Sequence, residues 1–68
     1  MEKDWVSVYS SDKPHTILII KAMLETNDIQ SVEIDKRVSP YNIGELELCV
    51  RRENVLKAKY LIDKNRND

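Results

Sequence analysis

Cysteine, glycine and histidine each occur once in this chain, and each scarcity closes a route to function. Cys49 has no partner within the chain, which excludes an intrachain disulfide. His15 and Cys49 are the only soft ligands, and neither CxxC nor HxxxH spacing occurs, so no metal centre is expected. A single glycine cannot build a phosphate-cradling loop, and no cofactor is expected. His15 falls in the first turn of a helix. No Ser, Cys or carboxylate is spaced to form a catalytic pair with it. The chain is therefore expected not to be an enzyme.

Long apolar runs are absent too. Ile17-Leu18-Ile19-Ile20 is the longest, far short of the roughly 20 residues that cross a bilayer. The opening Met1-Glu2-Lys3-Asp4 is polar and unlike a signal peptide. A cytoplasmic address with no membrane partner is the expectation, and the lone cysteine is consistent with it. A basic balance is also missing, with 11 Lys and Arg against 12 Asp and Glu, a net charge of −1 and a pI of about 5.8. Nucleic-acid backbones need a basic footprint, so no nucleic-acid partner is expected.

What is present is a folding composition, 41% hydrophobic and 34% charged. The chain's 68 residues fit a single domain spanning 1–68, with its core at about 5–63. A domain of this length buries only about 60% of the surface its unfolded chain exposes. With disulfides and metals set aside, self-association or tight packing is the remaining support.

Trp5-Val6-Ser7-Val8-Tyr9 alternates and predicts strand one, with Val6 and Val8 on one side and Trp5, Ser7 and Tyr9 on the other. Ser11 or Asp12 can cap a helix that starts at Pro14 and runs to about Thr26. Ile17, Ile20 and Leu24, with Met23 beside them, form its apolar stripe. Asn27 is a candidate left-handed C-cap. Ser31 to Asp35 alternates again and predicts strand two, with Val32 and Ile34 toward the core. Lys36 to Gly44 reads as a loop. Glu45 to Arg51 is the cleanest strand, with Leu46, Leu48 and Val50 on one face and Glu45, Glu47, Cys49 and Arg51 on the other. Glu53 to about Lys64 predicts a second helix buried through Val55, Ala58, Leu61 and Ile62. Asn65 to Asp68 is a polar tail expected to fray.

The order β-α-β-β-α predicts an α+β domain, a three-stranded mixed sheet with two helices on one face. If strands one and two run parallel, strand three slots between them, antiparallel to both. That is the split β-α-β plan of ferredoxin-like folds, truncated by its fourth strand.

The Trp5…Val8-Tyr9 strand, the helix end Leu24-Glu25-Thr26-Asn27-Asp28-Ile29, the Leu46…Val50 strand and the Ala58…Leu61-Ile62 helix together resemble a small bacterial family described as prokaryotic signal transducing proteins. The likeness runs from about Trp5 to Ile62. The family usually has glycine where Asp28 stands, so either Asn27 carries the left-handed conformation or Asp28 adopts it. The resemblance implies a fold similar to the nitrogen-regulatory PII proteins and hence a signalling role, by fold analogy. PII proteins carry a long nucleotide-linked loop and act as trimers, whereas the equivalent segment here, Lys36 to Gly44, is short. It contains Tyr41, but the modification of the PII loop tyrosine is not carried over. No functional residue of the family transfers to this chain.

With both helices on one side, the outward sheet face would carry Trp5, Tyr9, Glu47 and Cys49. Trp and Tyr are enriched at binding hot spots, which makes this face the candidate protein-binding or self-association surface. The plainer account is that Trp5 and Tyr9 fill space on an open sheet. Base stacking on these aromatics is opposed by Glu45 and Glu47. Cys49 lies between Glu47 and Arg51, whose charges cancel, so a packing role outweighs a reactive one. The leading expectation is a non-catalytic interaction or regulatory module acting through the open face or the strand edges. The alternative is a sensor of a small anionic ligand, in a pocket between the Lys36–Gly44 loop and a neighbouring subunit, with Lys36, Arg37 and Arg52 as anion contacts.

Overall fold

The computed structural model describes residues 4–37 and 44–66. The elements are β1 (Trp5–Ser11), α1 (Pro14–Thr26), β2 (Ser31–Asp35), β3 (Leu46–Arg51), a 3₁₀ turn at Arg52–Asn54 and α2 (Val55–Arg66). The three strands form one sheet in the order β1-β3-β2. β3 is antiparallel to both neighbours, so β1 and β2 run parallel without touching. The fold is α+β in a small ferredoxin-like arrangement. Each bonded pair is antiparallel, so the sheet is antiparallel and not mixed as expected.

The core lies between the sheet and both helices. Ile17, Ile20 and Leu24 of α1 and Ala58 and Ile62 of α2 close over Leu46, Leu48 and Val50 of β3. Both helices thus cover one face, and the residues of the predicted helical stripes are the ones buried. α2 continues through Asn65 and Arg66, so those positions are helical and not tail. Residues 67 and 68 lie outside the described residues.

The start of α1 differs from the expected cap. Lys13 is the N-cap and makes no side-chain cap bond. Ser11 Oγ instead accepts from the Lys13 N–H at 3.1 Å, holding the chain in a local turn ahead of Pro14. The end of α1 is a Schellman motif. The Ile29 N–H donates to the Leu24 carbonyl at 2.9 Å, and the Asp28 N–H to that of Glu25 at 3.0 Å. Asp28 is the left-handed residue, with φ 63°, and Asn27 is the preceding cap at φ −100°. Ile29 and Leu24 are both buried, the apolar contact that accompanies this motif. Left-handed backbone disfavours a Cβ. Asp28→Gly is therefore expected to stabilise the domain by roughly 0.5–1 kcal/mol, after the entropy of glycine is deducted. A thermal melt checks this as a rise of a few degrees.

Two faces differ from the sequence reading. In β1 the register slips between Ser7 and Tyr9, leaving Val8 as the extra residue of a bulge. Before it, Trp5 stands opposite Arg51 and Ser7 opposite Cys49. After it, Tyr9 stands opposite Leu48. Cross-strand partners share a face, so Tyr9 turns to the helix side, where Val8 and Tyr9 both pack against the core. In β2, Val32 pairs with Cys49 and Ile34 with Glu47, which places both on the open face. Ile29 is the cause. It occupies the core just before the strand, and the two-residue side-chain period then sends Ser31, Glu33 and Asp35 to the helix side. Ser31 is buried there, and no hydrogen-bond partner meets its Oγ. Glu33 and Asp35 are exposed, so the helical cover stops short of this half of the edge strand.

Candidate functional site

The open face is assembled by the register of three strands. β1 supplies Trp5, Ser7 and Ser10, β3 supplies Glu47, Cys49 and Arg51, and β2 supplies Val32 and Ile34. Of the expected patch, Trp5, Glu47 and Cys49 come together here, and Tyr9 does not. The bulge at Val8 removes it. Val32 and Ile34 take its place and were missed by the sequence reading. The signal that would have found them is the parity they share with the residue after Ile29.

Each of these side chains has an identifiable neighbour. The Arg51 guanidinium carbon lies 4.8 Å from the centroid of the Trp5 ring, a cation–π contact worth about 0.5–1 kcal/mol at a partly exposed site. Lys36 Nζ lies 3.2 Å from Glu47 Oε1 and pulls that carboxylate to the patch rim. Cys49 is fully buried, although no helix covers it. Burial, and then the charge of Glu47, pushes its thiol pKa up. A thiol held in that state is a poor nucleophile, so Cys49 contributes packing and not reactivity. Trp5 and Ile34 are half-buried, and Val32 is 39% exposed. Trp5, Val32 and Ile34 thus offer reachable apolar surface beside the buried Cys49, with Arg51, Glu47 and Lys36 around it.

Within one chain, the three expected anion contacts do not come together. Lys36 is paired with Glu47. Arg37 grips Asp35 with two hydrogen bonds, Nε to Oδ1 at 3.1 Å and Nη2 to Oδ2 at 2.9 Å, and its backbone N–H also donates to Oδ1 at 2.9 Å. These bonds hold the Asp35 carboxyl at about 2. Arg52 sits past the other end of β3, where its N–H donates to the Asp4 carbonyl at 2.7 Å. β3 separates it from Lys36 and Arg37 by roughly 20 Å at the usual strand rise. The described residues enclose no pocket. Ser39, Pro40 and Tyr41 of the intervening loop lie outside the described residues.

His15 is exposed on the first turn of α1. Among the described residues, no group of three or more His, Cys, Asp or Glu side chains is placed to hold a metal ion. No helix among them is long and apolar enough to cross a membrane. Comparison with protein-family models, with curated proteins and with solved structures finds no match for this chain.

Proposed function

We propose that this domain is a non-catalytic protein-interaction module that binds through the open face of its sheet. The observation that supports this reading is the apolar strip of Trp5, Cys49, Val32 and Ile34 on the side that neither helix covers. Aromatic anchors of this type dominate interface energies. A regulatory role in signalling, implied by the family resemblance, would be exercised through the same surface. The PII likeness adds no ligand to it, because Lys36 and Arg37 are already neutralised by Glu47 and Asp35.

The test compares wild-type protein with Trp5→Ala and Val32→Glu in partner capture and in sedimentation equilibrium. Trp5 is only half-buried and Val32 is exposed, so both variants are expected to fold. Trp5→Ala should lower the melting temperature by several degrees, as loss of about 1 kcal/mol does in a domain of this size. Association seen in the wild type, with a partner or with itself, should fall at least tenfold in both variants, as loss of about 1.4 kcal/mol or more requires. Association that survives both substitutions overturns the reading. So does a Trp5→Ala chain that is unfolded, since Trp5 would then be a core residue.

A further inference from the structure

The interaction reading above leaves the partner's chemistry open. Resting on that reading, we infer that the outer edge of β2 accepts an extended peptide of alternating basic and apolar residues as a fourth strand.

Among the described residues, β2 is bonded to β3 on one side and ends the sheet on the other. The ladder itself shows which backbone groups face outward. The Lys36 N–H donates to the Glu45 carbonyl at 3.1 Å, so Lys36 and Glu45 are a hydrogen-bonded pair. Such pairs alternate along an antiparallel ladder. Ile34 and Val32 therefore turn their N–H and C=O groups to β3. Ser31, Glu33 and Asp35 turn theirs to the open edge. The strand keeps unbroken register with β3 from Ser31 to Asp35, and it holds no proline, lysine, arginine or bulge. β1, the opposite edge, is different. Its extra residue at Val8 breaks the regular spacing of outward groups, a common protection against strand addition.

The side chains select the strand that fits. Glu33 is exposed at the centre of β2; among the described residues it makes no ion pair, and the Arg37 guanidinium that acts on it along the strand is already held by Asp35. Lys or Arg on an incoming strand would meet it on the helix side. Apolar residues at the alternate positions would lie beside Val32 and Ile34 and lengthen the strip that begins at Trp5. A second copy of β2 fits less well. Pairing the whole strand with its two-fold mate sets Glu33 opposite Glu33, and like charges directly opposite are destabilising.

The probe is a synthetic peptide of alternating lysine and valine, about six residues long, titrated into the full chain and followed by amide hydrogen exchange. Binding should protect the amides of Glu33 and Asp35, while those of Val32 and Ile34, already bonded to β3, stay as they were. E33K, at an exposed position, should keep the fold and bind this peptide at least about tenfold more weakly. It should prefer the glutamate–valine peptide of the same length. Several results overturn the inference: no saturable binding, binding that leaves the Glu33 amide unprotected, or equal affinity in E33K. Equal binding of a peptide with its lysines grouped at one end overturns it as well. Shifts confined to Trp5 and Cys49 would sink the edge site and leave the open-face reading standing. Partner binding that survives Trp5→Ala and Val32→Glu would sink that reading instead, whatever the peptide does.

Discussion

Leu48→Ala is expected to leave the domain at or below the edge of stability. Leu48 has no exposed surface and sits at the middle of the central strand. Both helices and both flanking strands converge on that strand, so no single element can shift to refill the space. Buried leucine-to-alanine changes cost about 2–5 kcal/mol, and the high end belongs to sites that cannot collapse. A domain of this length has roughly 3–10 kcal/mol to lose. Urea unfolding should show the midpoint collapsing toward zero denaturant. Leu56→Ala is the matched control: Leu56 is 85% exposed on α2, and its loss should change stability by less than about 0.5 kcal/mol. Similar midpoints for the two variants would mean that the core is not where the burial places it.

Gly44→Ala should be the costliest change outside the core. Gly44 has φ 116°, a backbone region that side chains rarely adopt, and strain there costs about 1–3 kcal/mol. Space is short as well. A Cβ on Gly44 would stand 2.8 Å from the Lys36 carbonyl oxygen and 3.2 Å from the Arg37 Cα. Both are backbone atoms at the end of β2, so relief requires moving the strand. The first bond to suffer would be the Lys36 N–H to Glu45 carbonyl bond that closes the β2–β3 ladder. A total loss of about 2–4 kcal/mol is expected, with faster hydrogen exchange at the Lys36 amide. An alanine variant as stable as wild type, with that amide still protected, would contradict the close approach.

Much of this was legible along the chain, and the errors have specific causes. The helix stripes Ile17, Ile20, Leu24 and Ala58, Ile62 are buried as their spacing implies. The faces of β3 are as the Leu46, Leu48 and Val50 alternation implies. Strand order followed from the connection rules for a β-α-β-β-α chain. The period of β2 was also legible, but its side was not. Val32 and Ile34 carry the apolar residues of the strand, yet Ile29 takes the buried slot and fixes the parity behind it. An apolar alternation says that a strand has two unlike faces; it does not say which one meets the helices. Tyr9 was misplaced for a different reason. One unpaired residue at Val8 inverts everything after it, and no Gly or Pro marks the spot. Lys36, Arg37 and Arg52 were expected to act as contacts for one anion. Strand β3 places them at opposite ends of the sheet.

The strand order has a consequence for how the chain becomes a protein. β1 and β2 never touch, and every ladder bond runs through β3. The keystone is the third strand to be synthesised. A ribosome that has made residues up to Glu45 has produced both outer strands and the first helix, but the native sheet has no ladder it can form. Sheet assembly waits for Leu46–Arg51 to emerge and insert between two strands already waiting. No ladder bond of this sheet can precede β3, and its pairing with β1 joins parts of the chain that are far apart in sequence.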